Sequence, residues 1–299
     1  MRTVFLGTSD FAADILDRLS TTPHRPLLVV TRPDRARGRG RRTAPPPVAE
    51  SARLLGIETI QPDDVNEDEA RAAIGAANPD AVLICAFGAL IREPLLSEHP
   101  MLNLHPSLLP RWRGAAPIER AIEAGDEETG ASVMRPVAEL DAGPVCVQRA
   151  EAIAPGDDFG SLAPRLAALG AELLVEALDL EPPFRDQVEE GDTYAEKIEA
   201  SERLLDPARP AADLERRVRA LSPHVGTYVE LPWGERLGVV RCMLVPEDGP
   251  EPGVLEARDG KLLYGASGGA LELLAVHPPG KRAMDAADWL RGNGARLGA

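Results

Sequence analysis

The sequence has no long apolar run, which argues against a membrane-spanning protein. No uninterrupted stretch approaches the roughly 20 apolar residues that a spanning helix requires. The first residues, MRTVFLGTSDF, contain only a short apolar run before Asp10, so a signal peptide is not predicted. The three cysteines, Cys85, Cys146 and Cys242, and the five histidines are dispersed without the close pairing of a zinc site. We therefore expect a cytoplasmic enzyme that works in a reducing compartment without a metal.

The glycine-rich turns of nucleotide-binding sites are missing as well. The turn after the first predicted strand reads GTSDFA, with one glycine where the dinucleotide fingerprint has three, and no P-loop lysine pattern occurs. NAD and ATP are therefore poorly supported as cofactors, and an NAD-dependent oxidoreductase is disfavoured.

Positive charge is scarce and unevenly placed. The net charge is −15, and lysine accounts for only three of the 33 basic residues. Residues 32–42, RPDRARGRGRR, contain six arginines and one aspartate, so this loop carries +5 and the rest of the chain −20. Such a protein repels polyanions over most of its surface and attracts them at one place. Because arginine suits phosphate contacts, we predict that the loop binds a phosphate-rich partner; a solvated loop is the alternative.

Continuous apolar runs in the first half of the chain predict buried strands. They are TVFLG, PLLVVT, IETI, DAVLICAF and MLNLH, with amphipathic segments between them. This alternation predicts an α/β fold whose open, mostly parallel sheet is covered by helices on both faces. Ligands of such sheets bind at the carboxyl ends of the strands.

The intervening helices have recognisable ends. The segment NEDEARAAIGAA predicts a helix capped by Asn66, with Glu69 three residues later as in a capping box. VAESARLLG predicts a helix that ends at Gly56. A helix is also predicted over residues 10–20, and its buried face is formed by Phe11, Ile15, Leu16 and Leu19.

The pattern changes after Gly125. TGASVMR and GPVCVQRAEAI predict antiparallel strands, and a long helix follows at about residues 162–178. Residues 181–203 are polar and predict a linker. After the helix AADLERRVRAL, short β segments separated by glycine and proline predict a small barrel or sandwich. We therefore divide the chain into a domain at 1–180, a linker at 181–203 and a second domain at 204–299.

The stretch LNLHPSLLP places polar residues where a buried strand ends. Asn103 and His105 point to one side of the predicted strand and Leu104 to the other. An amide and an imidazole in this position can polarise a carbonyl oxygen that becomes negative during acyl transfer. Asp141, in ELDAGPV, is a candidate partner for the imidazole. Each residue alone also has a structural interpretation, as a satisfied histidine or as a turn former, so the trio is a hypothesis at this point.

Extended to NLHPSLLPRWRGAAPI, the same stretch closely resembles the signature of the 10-formyltetrahydrofolate-dependent formyltransferases. The resemblance covers nearly the whole chain, because FLGTSDFA, RPDRARGRGRR, ICAFGALI, ELDAGPV, TYAEKI and PPGKRAM also match. It implies a Rossmann-like formyltransferase domain followed by a small OB-like β-barrel domain.

The resemblance assigns roles to particular residues. Asn103 and His105 are expected to bind and polarise the formyl oxygen. Asp141 is expected to keep His105 in the needed protonation state and to help remove the proton from the attacking amine. The donor is the co-substrate 10-formyltetrahydrofolate, and no metal is required. Its expected pocket is lined by Phe87, Gly88, Ala89, Leu90, Ile91, Ser107, Leu108, Leu109 and Pro110.

The resemblance also implies an acceptor, the free α-amine of methionine esterified to initiator tRNA. The basic loop would contact the acceptor stem, and a monomer is expected to be sufficient. The expected tRNA contacts are Arg35, Arg37, Arg39, Arg41, Arg42, Arg216, Arg217 and Lys281. For the last three, a solvated surface is the alternative.

Two other functions stay open. A formyltransferase of the same superfamily that acts on a nucleotide amino-sugar would keep the chemistry and change the acceptor. The basic loop favours tRNA, because its arginines suit a long phosphate backbone. A tRNA-binding protein without catalysis is disfavoured by the complete set of Asn103, His105 and Asp141.

Overall fold

The computed structural model describes residues 1–37, 42–188, 190–246 and 249–297. They form two units that alternate along the chain. The first comprises Met1–Pro117, Glu128–Ala152 and Ala163–Ala195, and the second comprises Ile118–Glu127, Ile153–Leu162 and Glu196–Ala299. The functional domains drawn at 1–180 and 204–299 stay a prediction. Two segments that precede residue 180 belong to the second unit.

The first unit is built on a seven-stranded sheet. Strands of this unit are β1 (Thr3–Gly7), β2 (Leu28–Val30), β3 (Arg35–Arg37), β4 (Arg42–Ala44), β5 (Glu58–Ile60), β6 (Ala81–Cys85), β7 (Met101–His105), β8 (Arg113–Gly114), β9 (Glu128–Met134), β10 (Val145–Ala152) and β11 (Tyr194–Ala195). The sheet order is β10-β9-β7-β6-β1-β2-β5, and β3–β4 and β8–β11 form two small ladders. Neighbours from β7 to β5 are parallel, while β9 and β10 are antiparallel. The predicted mostly parallel sheet is confirmed, and its central strands β1 and β6 are buried throughout.

The helices up to residue 180 are α1 (Asp10–Leu19), α2 (Pro47–Leu55), α3 (Asp68–Ala76), α4 (Leu95–Glu98), α5 (Pro117–Ala124) and α6 (Phe159–Leu180). Helix α1 begins after Ser9, whose Oγ accepts a hydrogen bond from the Ala12 amide at 3.3 Å. Its buried face includes Ala12 in place of the predicted Phe11, which is only half-buried. Helix α2 ends at Gly56, as predicted, because φ of +66° there suits glycine.

The predicted cap of α3 is wrong. The helix begins at Asp68, and its N-cap is Glu67, so Asn66 lies outside it. The Asn66 Nδ2 donates to the Leu90 carbonyl at 2.9 Å, and its Oδ1 accepts from the Arg92 amide at 2.7 Å. Asparagine side chains compete for backbone groups in this way, and here the partner is a distant loop. Asn66 therefore fixes the backbone at residues 90–92.

The second unit contains a six-stranded antiparallel sheet. Its later elements are α7 (Ala211–Leu221), β12 (Thr227–Glu230), β13 (Arg236–Val245), β14 (Leu255–Arg258), β15 (Lys261–Ala266), β16 (Gly269–His277), β17 (Met284–Asp285) and α8 (Ala286–Asn293). The strand order is β12-β13-β16-β15-β14, with β17 on β16. The buried core includes Leu214, Leu237, Leu262, Leu271 and Trp289. Among the described residues, no helix combines the length and apolar composition needed to cross a bilayer.

An ion-pair network lies within the second unit. Arg120 Nη1 is 2.7 Å from both Glu123 Oε2 and Glu202 Oε2, and Arg217 Nε is 2.9 Å from Glu123 Oε1. These side chains are largely buried, so each charge depends on its partners. The hydrogen bond from Arg120 lowers the pKa of the Glu202 carboxyl. The network therefore ties residues 118–127 to helix α7 and to residues 199–203.

We expect Glu202→Gln to lower the free energy of unfolding at pH 7 by about 1–2 kcal/mol, because a neutral amide replaces the charged partner of Arg120 and Arg217. The folded-state pKa of Glu202 is lowered, so its contribution is present above the unfolded pKa and is lost as the pH falls through the folded value. The difference between wild type and variant in denaturant unfolding should shrink between about pH 5 and pH 3.

The matched control for this network is Glu251→Gln, at an exposed position of the second unit outside the network. It should leave the free energy of unfolding nearly unchanged at pH 7 and at pH 3. An equal effect of the two substitutions, or a Glu202→Gln effect that persists at pH 3, would contradict the assigned role of the pair.

Candidate active site

The carboxyl end of β7 brings two polar side chains to one side of the sheet. Asn103 and His105 both reach Asp141, while Leu104 between them is buried. Leu104 packs against Gly170 of α6, where a Cβ atom would lie 2.5 Å from Leu104 Cδ2. The missing side chain lets α6 approach β7 closely. The structure therefore places the three predicted residues together.

Asp141 is the shared hydrogen-bond acceptor of this cluster. Its Oδ1 accepts from Asn103 Nδ2 at 3.3 Å, and its Oδ2 accepts from the Gly114 amide at 2.9 Å and lies 3.5 Å from His105 Nδ1. The residue is 8% exposed and has φ of +51°, a left-handed conformation that aspartate tolerates better than most residues. Since a buried carboxylate needs partners, these contacts explain how the charge is accommodated.

His105 has a second partner on the opposite edge of its ring. The ring Nε2 lies 2.7 Å from the carbonyl oxygen of Trp112. Trp112 has φ of +62°, which is strained for a bulky residue, and its amide donates to Thr193 Oγ1 at 2.8 Å. The strained backbone thus aims a carbonyl at the imidazole. Both ring nitrogens face oxygen acceptors, and an imidazolium can donate to both of them.

This arrangement can stabilise negative charge on a carbonyl oxygen. The Asn103 amide has a second N–H beyond the one directed at Asp141, and the imidazole is oriented by contacts at both nitrogens. Donors fixed before the reaction stabilise an oxyanion without a reorganisation cost. Within the described ranges, no group of three or more His, Cys, Asp or Glu side chains is arranged to hold a metal ion.

Hydrogen bonds within the loop after β7, and others to Ser132 on β9, hold the backbone of this loop in place. The buried Ser107 hydroxyl donates to the Arg111 carbonyl at 2.6 Å. Ser132 Oγ donates to the Ser107 carbonyl at 2.6 Å and accepts from the Leu109 amide at 3.2 Å. Pro106 and Pro110 restrict the backbone of this loop, and Ser132 anchors it further. The predicted pocket residues Ser107 to Pro110 therefore present a fixed backbone.

The other predicted pocket segment, residues 87–91, borders two cavities. Phe87 and Gly88 line a cavity of about 190 Å³ beside Arg32 and Arg35, and Leu90 and Ile91 line a cleft of about 1150 Å³. Thr8 Oγ1 donates to the Phe87 carbonyl, and Arg32 Nη1 donates to the Gly88 carbonyl, both at 2.6 Å.

The larger cleft continues along strand ends and loops of the first unit. Beyond residues 90–93, its walls include Met101, Leu102, Phe184 and the segment 135–138, which precedes the Asp141 turn. Its lining does not include Asn103, His105 or Asp141. Some residues of the cleft therefore lie close to Asp141 in the sequence, but the cleft and the polar cluster share no residues.

The predicted tRNA contacts differ in their surroundings. Arg35 is exposed on β3, and Arg37 lies opposite Arg42 in the β3–β4 ladder. Arg39 and Arg41 lie outside the described residues. Lys281 is exposed in the second unit.

The two helix arginines have partners inside the protein. Arg216 Nε donates to the Glu123 carbonyl at 3.0 Å, and its guanidinium pairs with Asp213. Arg217 is only 12% exposed and is paired with Glu123 and Glu202. The alternative of a structural role is therefore favoured for these two residues, and their contact with tRNA stays a prediction.

Three residues of the cluster were missed in the sequence. Trp112 and Gly114 lie within the matched signature, so that stretch was the available signal. Thr193 lies in the segment predicted to be a linker, and no local pattern marks it. Its contact with Trp112 spans 81 residues of sequence.

Comparison with known proteins extends this description. Residues 1–178 match the family described as Formyl transferase, and residues 197–294 match the Formyl transferase C-terminal domain. The methionyl-tRNA formyltransferase of Methylococcus capsulatus is 42% identical, over 100% of both chains. The methionyl-tRNA formyltransferase of Thermus thermophilus is 41% identical, over 100% of this chain and 98% of the other.

Among solved structures, the sugar 3N-formyl transferase WlaRD, determined in the presence of dTDP and 5-N-formyl-THF, superposes with a TM-score of 0.65. Its sequence identity is 13%, with 94% of this chain and 98% of that chain covered, so this likeness supports the fold alone.

An open α/β sheet that gathers an amide, an imidazole and a carboxylate at one strand end defines a site for acyl-group transfer. The matches over both halves of the chain identify this acyl group as a formyl group. The chain belongs to the formyl transferase family.

We expect His105→Ala to reduce the rate of formyl transfer at least about a hundredfold, because an oxyanion donor is removed. The measurement is kcat at saturating substrates, with thermal unfolding as a check on folding. His277→Ala, at an exposed histidine of the second unit, is the control and should retain kcat. A near-normal rate for His105→Ala would remove this residue from the mechanism.

Proposed function

We propose that the protein transfers the formyl group of 10-formyltetrahydrofolate to the free amino group of methionyl initiator tRNA. The observation that carries the proposal is the convergence of Asn103, His105 and Asp141 in a chain that is 42% identical to a methionyl-tRNA formyltransferase over its full length. The acceptor, the donor and the roles of individual residues are taken from this relationship, and the geometry of the cluster supports those roles.

The proposed chemistry uses each member of the cluster. The amine nitrogen bonds to the formyl carbon, and the formyl oxygen becomes negative. Asn103 donates its second N–H to that oxygen, and His105 donates through Nε2, where the formyl oxygen replaces the Trp112 carbonyl as the acceptor. Asp141, whose Oδ2 lies 3.5 Å from His105 Nδ1, orients the imidazole and accepts the proton that leaves the amine. When the intermediate collapses, the bond to N10 of the folate breaks, and the proton passes to that nitrogen. Atoms and charges then balance without a metal or a nucleotide.

The folate is proposed to occupy the first unit near the polar cluster. Supporting features are the fixed backbone of residues 107–110, which begins two residues after His105, and the loop at residues 90–91, which borders a cleft of about 1150 Å³. Asn66 holds the loop at residues 90–92 in place. A pre-formed site of this kind reduces the entropy lost on binding.

The tRNA is proposed to contact the basic segment of residues 32–42. This segment carries +5 in a chain of net charge −15, so it supplies the localised attraction that an acidic protein needs for a polyanion. Exposed Lys281 is a second proposed contact, in the second unit. Arg216 and Arg217 are secondary candidates, because their guanidinium groups already have internal partners.

A nucleotide amino-sugar is the second candidate acceptor. A sugar 3N-formyl transferase has the same fold, and transfer to a sugar amine would use the same chemistry. The basic segment at residues 32–42 favours tRNA, because its six arginines exceed what one nucleotide sugar would engage.

The assay that tests the proposal supplies 10-formyltetrahydrofolate with methionyl initiator tRNA and, in parallel, a nucleotide amino-sugar. Formylation of the tRNA alone is expected. Formylation of the sugar alone would keep the proposed chemistry and replace the acceptor. If neither is formylated while tRNA still binds, the protein would be a binding protein without this catalysis.

Replacing Arg37, Arg39, Arg41 and Arg42 by glutamine should weaken tRNA binding and flatten its salt dependence. For every phosphate that the variant no longer neutralises, the slope of log K against log salt should decrease by roughly 0.7–0.9. The measurement is tRNA affinity between 50 and 200 mM salt, a range over which about six to ten phosphate contacts would change affinity about 10³–10⁵-fold.

The control for this experiment neutralises four arginines that pair with acidic neighbours on other surfaces, Arg18, Arg53, Arg149 and Arg291. It changes the net charge equally but should leave most of the salt slope intact. Equal slopes for the two variants would show that the basic segment of residues 32–42 is not the contact.

A further inference from the structure

Residues 185–188 and 190–195 form backbone and side-chain hydrogen bonds with two other stretches of the first unit. At one end, the amide of Arg185 donates to the Val145 carbonyl at 2.9 Å, and the Val145 amide donates to the Arg185 carbonyl at 2.8 Å. At the other end, β11 pairs with β8, and the Arg113 amide donates to the Thr193 carbonyl at 2.9 Å. The segment therefore binds two separate stretches, one just after Asp141 and one just after Trp112.

Gln187 lies between these two attachments and uses both ends of its amide. Its Nε2 donates to the carbonyl oxygens of Asp141 and Gly143, each at 2.7 Å. Its Oε1 accepts from Arg113 Nε at 3.0 Å and from Arg113 Nη2 at 2.8 Å. The side chain is partly buried, and these four hydrogen bonds involve neither Asn103 nor His105. It thus joins the turn that holds the carboxylate to the stretch that faces it.

Both stretches joined by Gln187 control the geometry of Asp141. The turn sets the left-handed backbone of Asp141, and residues 112–114 supply the Gly114 amide that binds its carboxylate. The same stretch supplies the Trp112 carbonyl that faces His105. A shift of either stretch would change the distance between carboxylate and imidazole, which is 3.5 Å.

We propose that Gln187 is a positioning residue for formyl transfer, which holds Asp141 against His105 by joining the Asp141–Gly143 turn to Arg113. The proposal rests on the proposed function. Glutamine is required because the role needs two N–H donors toward carbonyls and one oxygen toward a guanidinium. Misplacement of a catalytic group by about 1 Å can cost up to about a hundredfold in rate. Substrate affinity is expected to change little, because Gln187 does not line the cleft.

Two substitutions separate the two ends of the amide. Gln187→Glu keeps an oxygen for Arg113 and removes both donors, while Gln187→Met keeps a similar length and removes every hydrogen bond. We expect kcat to fall about tenfold or more in both variants, with the KM values for folate and tRNA within about threefold of wild type. Val188→Ala, at a neighbouring position that is 64% exposed, is the control and should keep kcat.

The decisive comparison repeats Gln187→Met in an Asp141→Asn background. If Gln187 acts by placing the Asp141 carboxylate, its removal should change the residual kcat of Asp141→Asn by less than about twofold, because effects within one unit are not additive. Equal reductions in both backgrounds would show a general structural role and overturn the proposal. Unchanged kcat in the single variants would also overturn it. If wild type transfers no formyl group, the proposed function fails first, and the two failures are therefore distinguishable.

Discussion

The buried carboxylate of Asp141 is the interaction on which the site depends. It accepts from a side chain on β7 and from a backbone amide on β8, and it faces the imidazole of His105. None of these partners is close to Asp141 in sequence, so the carboxylate fixes the relative positions of three chain segments. A buried charge needs hydrogen-bonding partners, and this requirement fixes the positions of the side chains in the cluster. The antiparallel addition of β9 and β10 to the parallel sheet is what brings the Asp141 turn back to the end of β7.

Much of the fold could be predicted because its signals are local. Continuous apolar runs gave the buried strands β1 and β6, and the glycine at position 56 marked the end of α2. Asn103 and His105 could be predicted for a similar reason, because polar residues at the end of a buried strand have few structural explanations. The motif resemblance then joined Asp141 to Asn103 and His105 across 38 residues. Alternation along β7 could suggest a common side for two of these residues, but it could not locate the third.

The parts that were missed depend on contacts between distant residues. Asn66 carries the pattern of a helix cap, yet it binds a loop 24 residues away, because a side-chain amide satisfies whichever backbone groups the tertiary structure brings near. Arg217 belongs to a run of arginines that resembles a basic surface, and only the folded unit shows that Glu123 and Glu202 neutralise it. Residues 181–203 are polar and contain proline and glycine. This composition fits a linker, and it fits equally well a segment whose backbone pairs with other strands. Composition alone does not separate these cases.

The discontinuous second unit also has a consequence for synthesis of the chain. Glu123 and Arg217 form an ion pair although 94 residues separate them. At a translation rate of about 5–20 residues per second, roughly 5–19 s pass between the addition of these two residues. During that interval residues 118–127 have been made, but the helix that supplies Arg217 has not. The growing chain can therefore assemble strands β1 to β7 early. Residues 118–127 have no ion-pair partner on helix α7 until that helix has been synthesised.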